Sequence, residues 1–200
     1  TDVNKREEFE GYIIINEDEI LNGGDQLLSY DETPKLLNSI KLTGTTNNNL
    51  SIGFINAITD KSYALIRENN DNIRKELITP LTNFNVLSLS QKIINDYSSI
   101  GFINGSLNRE SSFEDANNYA FMANIFDNKR AFSFKGYYYK TYSPRLSQRS
   151  GQRKIITIEE LKGNFRYWLH VHAADRYYNP NEIGFYNSKN FIQYGSRVSY

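Results

Sequence analysis

Polar and apolar residues alternate at period two through several stretches of the chain, and the apolar positions are rich in Tyr and Phe. Asn164–Ala173 carries the clearest run, with Phe165, Tyr167, Leu169, Val171 and Ala173 on one side and Arg166, Trp168, His170 and His172 on the other. Successive strand side chains face opposite ways, so this segment reads as a strand with one apolar and one wet face. Asn38–Thr45 sets Ile40 and Leu42 against Lys41 and Thr43. After the Asn-rich turn Thr46–Asn49, Leu50–Thr59 answers with Leu50, Ile52 and Phe54 against Ser51 and Gly53, a hairpin by pattern and turn chemistry.

The same logic predicts a second hairpin over Thr82–Asn95 and Tyr97–Asn108. A third spans Asn118–Phe126 and Ala131–Tyr142, turning at Asp127–Arg130, where Phe132, Phe134 and Tyr138 oppose Ser133, Lys135 and Tyr137. Gly163–Asp175 and Phe191–Tyr200 make the last pair, with Tyr194, Val198 and Tyr200 opposed to Gln193, Arg197 and Ser199. Residues 1–37 are acidic and irregular and read as a lead-in segment. Asp60–Pro80 is charged and reads as an exposed loop with room for a short helix, and Arg145–Arg153 as a polar loop.

The expected fold over residues 38–200 is therefore all-β, an antiparallel meander of about eight strands in which tight turns alternate with longer polar loops, as in an outer-membrane β-barrel or part of one. A soluble antiparallel sandwich alternates in the same way. Asn118–Phe126, apolar on both faces, suits a barrel less well than its neighbours.

Composition sharpens this. Aromatics reach 14% and all hydrophobic residues only 39%, below the globular norm of roughly 45–50%. A barrel needs apolar residues only at alternate strand positions. Charges balance at 23 against 23, so no basic field recruits nucleic acid. No run approaches the roughly 20 apolar residues of a membrane-crossing helix. Thr1 is not an initiator Met, and the chain is expected to be processed or cut from something longer, so the barrel region is expected to be complete or a fragment of a larger one. With no Cys, disulfides and thiolate metal sites are excluded.

Four segments carry a family resemblance: Ser39–Gly44, Leu50–Tyr63, Glu76–Asn85 and Asp175–Phe185. In this order they resemble an uncharacterised family of large Bacteroidota proteins in which a family-9-like carbohydrate-binding module precedes an outer-membrane β-barrel. The resemblance covers residues 37–200. It implies a domain of unknown function in the bacterial outer membrane, with a glycan connection by association alone, because no sugar-binding module is recognisable in this chain.

Candidate chemistry is sparse. Arg166, His170, His172 and Arg197 fall on predicted polar faces and are candidates for lining a lumen. Two imidazoles at i and i+2 can also bind a metal, but these are the only two His in the chain and no further ligand is evident. Asp175, Asn179, Asn181 and Glu182 cluster around Pro180 and could offer oxygen ligands to Ca²⁺, although Asn-Pro-Asn is equally ordinary turn chemistry. Glu159-Glu160 lacks any sign of the facing carboxylate a glycosidase requires. Tyr137–Tyr139 and Tyr177-Tyr178 read first as an interfacial girdle, with sugar stacking and plain sheet packing as alternatives. The expectation is a non-enzymatic outer-membrane β-barrel without a cofactor, whose partners are the lipid bilayer and either glycans or other outer-membrane proteins rather than nucleic acid. The alternative is a soluble β-sheet carbohydrate-binding module.

Overall fold

A computed structural model describes residues 6–9, 12–15, 17–110, 115–142, 150–181, 183 and 188–200. In chain order the described elements begin with β1 (Arg6–Phe9), β2 (Tyr12–Ile15), the single-turn helix α1 (Glu17–Ile20) and β3 (Gln26–Tyr30). They continue through β4 (Leu36–Thr45), β5 (Leu50–Thr59), β6 (Ser62–Arg67), β7 (Ile73–Thr79), β8 (Thr82–Lys92) and β9 (Ser99–Arg109). The remainder are β10 (Ala116–Phe126), β11 (Phe132–Tyr142), β12 (Ser150–Glu160), β13 (Arg166–Ala174) and β14 (Phe191–Ser199). Strands β1 and β2 pair with each other, β3-β6-β7 form a three-stranded sheet, and β14-β13-β12-β11-β10-β9-β8-β5-β4 a nine-stranded one.

The chain divides into two compact units: Thr1–Ser39, Asn56–Phe84 and Asn108–Glu114, then Ile40–Ile55, Asn85–Leu107 and Asp115–Tyr200. The first contains a conventional core, in which Ile20, Ala64, Ile66 and Ile78 are buried with Leu21, Leu27 and Tyr30 packed against them. Arg74 braces it. Its guanidinium donates to the Ile20 carbonyl at 2.5 Å and to Asp25 and Glu76 at 3.1 and 3.0 Å.

This unit corrects two expectations. Asp60–Pro80 is a β-hairpin, not a loop with a short helix: Ala64 and Ile66 alternate inward on β6, Arg74 and Glu76 lie opposite them on the same face of β7, and the remaining charges occupy the turn and, at Lys75, the outward side. The lead-in segment is likewise not irregular throughout, because Gln26–Tyr30 pairs antiparallel with β6 through Leu27↔Ile66 and Tyr30↔Ala64.

The second unit is built on the nine-stranded sheet, and the expected hairpins β4/β5, β8/β9, β10/β11 and β13/β14 are all present. The pairings from β9 to β14 are all antiparallel. β5 and β8 also run oppositely, since Asn49 meets Lys92 while Asn56 meets Asn83. The sheet has more strands than the eight or so expected, and one was missed. Ser150–Glu160, whose first residues read as the end of a polar loop, is a full strand between β11 and β13. Adjacent Ile155-Ile156 blur its alternation, and its Ser-Gly-Gln-Arg-Lys start hides it. Among the described residues β4 and β14 do not pair with each other, so the sheet is open and no closed barrel forms.

Candidate functional site

Directly opposed residues of antiparallel neighbours point to the same side of a sheet, so the registers sort the second unit into two faces. Phe121 lies opposite both Phe102 and Tyr138, Phe134 opposite Ile158, Ile158 opposite Leu169, and Val171 opposite Tyr194. The ring centroids of Phe102 and Phe121 stand 5.0 Å apart, and those of Phe121 and Tyr138 6.4 Å, an aromatic ladder across three strands. Leu50, Leu89, Ile100, Phe102 and Phe121 extend this apolar surface toward β5 as a shallow depression.

This greasy face is the one left open. Phe132 and Phe134 are 48% and 41% exposed, and Ile156 and Ile158 45% and 43%. Between the two isoleucines Thr157, on the other side, is only 8% exposed. The same inversion holds on β11, where Ser133 and Thr141 are buried while Phe132, Phe134 and Tyr142 are not. The apolar band has polar margins on β12, with Gln152 and Lys154 toward one end and Glu160 at the other.

The opposite face is richer in glycine and polar side chains, although Ile103, Leu107, Met122, Phe126 and Ile155 also belong to it. It carries Gly101, Gly105, Asn118, Asn124, Ser133, Thr141, Gly151, Thr157 and Gly195, interleaved with Lys135, Tyr137, Tyr139, Arg153 and Glu159. Lys135 pairs with Glu159, which also accepts from the Ser133 hydroxyl at 2.8 Å. The Tyr137 hydroxyl donates to Asn124 Oδ1 at 2.7 Å. Arg153 lies 5.2 Å from the Tyr139 ring centroid and donates to His172 Nε2 at 2.8 Å.

The structure puts Arg166, His170, His172 and Arg197 on this polar face, together with Trp168. His170 Nδ1 lies 2.9 Å from the Thr157 hydroxyl, and its ring stacks on Trp168 with centroids 5.1 Å apart. Trp168 in turn lies over Gly195, whose missing side chain leaves room for the indole. With His172 Nε2 already accepting from Arg153, the two imidazoles are tied to the sheet. Among the described residues no group of three or more His, Cys, Asp or Glu is placed to hold a metal.

Asp175 and Asn179 turn their side-chain oxygens to the backbone. Asp175 Oδ2 accepts from the Gln152 amide at 2.9 Å and Oδ1 from the Tyr177 amide at 2.9 Å, while Asn179 Oδ1 accepts from the Asn181 amide at 3.3 Å. Glu182 lies outside the described residues.

The tyrosine runs are not a single girdle. Consecutive strand residues alternate, so Tyr138 joins the apolar face and Tyr137 and Tyr139 the polar one. Tyr178 is 5% exposed, packed against Gly151. Glu159 and Glu160 likewise point to opposite faces and make no catalytic pair. Sequence reasoning missed Arg153, Glu159 and Gly151 as members of the polar face, because all three belong to β12.

The family model described as a domain of unknown function (DUF5916) matches residues 11–200. No curated protein and no solved structure matches the chain.

Proposed function

The chain belongs to that family of unknown function, and from this premise we propose that it forms part of the wall of a bacterial outer-membrane β-barrel, a non-enzymatic anchor or conduit in glycan uptake or surface display. The observation that carries the reading is the outward exposure of Phe132, Phe134, Ile156 and Ile158 beside the buried, polar Thr157 and Ser133. A water-soluble sheet hides its apolar face, and contiguous exposed apolar patches above a few hundred Å² mark contact with another protein or a membrane. A barrel wall does the reverse, with alternate residues facing lipid and lumen.

The arrangement of connections agrees with this reading. Residues 46–49, 93–98, 127–131 and 161–165 join strands at one end of the sheet by short links. At the other end the connections include 143–149 and 175–190 and the whole insert 60–81. Outer-membrane barrels combine short turns on one side with long loops on the other. Among the described residues no helix is long and apolar enough to cross a membrane, which leaves the strands as the crossing elements of this proposal. The partners are then lipid at the apolar face and polar solutes, glycans among them, at the other. A soluble carbohydrate-binding sheet would need a cover over Phe132 and Phe134.

Trp168 makes the test direct, because it is the only Trp in the chain. In proteoliposomes its fluorescence should be quenched by aqueous iodide and little affected by brominated acyl chains. Moving the indole one residue, in Trp168→Phe/Leu169→Trp, should reverse both responses. Equal insensitivity of the two proteins to brominated lipid, with both monodisperse in buffer without detergent, would reject the membrane reading.

A further inference from the structure

The described residues of the connection between β13 and β14, 175–181, 183 and 188–190, do not hang free of the sheet. Asp175 fixes its root, exchanging hydrogen bonds with Gln152 in both directions, its amide to the Gln152 carbonyl at 3.0 Å and its carboxylate from the Gln152 amide at 2.9 Å. The Asp175 carbonyl also receives the Asn190 amide at 3.2 Å, which brings the two ends of the segment together. From this root the chain turns onto the polar face.

What it touches there is one row. Gly151, Thr141, Asn118 and Gly105 are register partners across β12, β11, β10 and β9. A side chain on Gly151 would start 2.1 Å from the Tyr178 amide nitrogen, so only glycine admits the crossing. The Asn179 amide donates to the Thr141 hydroxyl at 3.2 Å, and Asn118 Nδ2 donates to the Pro180 carbonyl at 3.2 Å. A Cβ on Gly105 would meet Ile183 Cγ2 at 3.0 Å. Residues 178, 179, 180 and 183 thus step over four adjacent strands in order, at right angles to them.

We propose that this strap is an internal barrier lying across the polar passage, and that it sets the size limit for hydrophilic solutes. The inference rests on the barrel reading above, in which the polar face lines the passage. Four strands are spaced roughly 4.7–4.9 Å apart, so a strap spanning them narrows the bore along the row of Gly151, Thr141, Asn118 and Gly105, where the wall's own side chains are small. Its buried Tyr178 and its hydrogen bonds to Thr141 and Asn118 hold it against the wall rather than leaving it outside the mouth. The segment that looked like a calcium loop is on this reading a hooked constriction, with Asp175 as the root.

The test uses the intact protein in planar bilayers, with single-channel conductance in KCl and exclusion of neutral polyethylene glycols of graded size. The Thr141→Val/Asn118→Ala variant loses both hooks and should conduct at least about twofold more and admit larger polymers. The chain has no Cys, so Thr141→Cys/Asn179→Cys on the Asn118→Ala background supplies a switch within one folded molecule. Oxidised, it should keep wild-type conductance and cutoff, and reduced it should open like the unhooked variant. Proteins that insert, show the Trp168 and Leu169→Trp quenching pattern, and have the same conductance and cutoff in every state would overturn the strap while leaving the barrel intact. Absence of that quenching pattern would overturn both.

Discussion

Phe134 and Lys135 are neighbours in sequence with opposite surroundings. On the lipid reading, Phe134→Arg puts a charge on the outer face and should cost about 2–4 kcal/mol near the midplane and much less near an interface. Refolding titrations into liposomes measure this. A substitution at Lys135 is not silent, although alternation alone suggests a side chain that merely sits in water. Lys135 neutralises Glu159, whose side chain is 14% exposed, so Lys135→Met leaves that carboxylate with the Ser133 hydroxyl and should cost about 1 kcal/mol. Asp127 offers a pH handle outside the strands. The Phe132 amide does most to hold its carboxyl below the usual carboxylate range, partial desolvation opposes this, and the Lys129 and Ala131 amides add to the lowering. A lowered acid stabilises the fold above its unfolded value and stops doing so as pH falls through its folded one. The Ala131 and Phe132 amide resonances should therefore shift as pH drops below the usual carboxylate range, and Asp127→Asn should abolish that response.

At the scale of elements, the four hairpins of the large sheet were legible because their strands alternate, Asn118–Phe126 excepted, and each connection contains Asn or Asp. Asn49 and Arg130 do adopt positive φ at such turns. Strands β6 and β12 were not legible, for different reasons. In β6, short alternation lies among charges that the Arg74 cluster uses internally. In β12, two adjacent isoleucines face opposite sides, one to each environment. The polar-face position of Arg166, His170, His172 and Arg197 followed from period two alone, whereas the links to Thr157 and Arg153 required the register of the strand that was missed. The small sheet gives its own prediction. Ile66 is fully buried, so Ile66→Ala should cost about 2–5 kcal/mol, read as faster amide exchange in β3, β6 and β7.

At the scale of the whole molecule, the two units obey different rules. The first hides Ile66 and Ile78, while the second buries mostly small or polar side chains, Ser98, Ser133, Thr141, Ala116 and Ala120 beside Leu107 and Tyr178, and leaves Phe121, Phe132 and Phe134 exposed. The intact protein should accordingly require detergent or lipid to remain monodisperse, with sedimentation in buffer as the check. The number of strands then has a consequence of its own. Directions alternate along the sheet, so the first and last of nine strands, β4 and β14, point the same way through a membrane. Open edges are not tolerated in hydrocarbon. Joining these two edges, within one chain or between copies inserted in the same orientation, makes a parallel seam. An antiparallel closure needs an odd number of further strands between them. Parity, a property no single residue carries, therefore limits the cylinders this sheet can complete to those with at least one parallel seam or those with an even total.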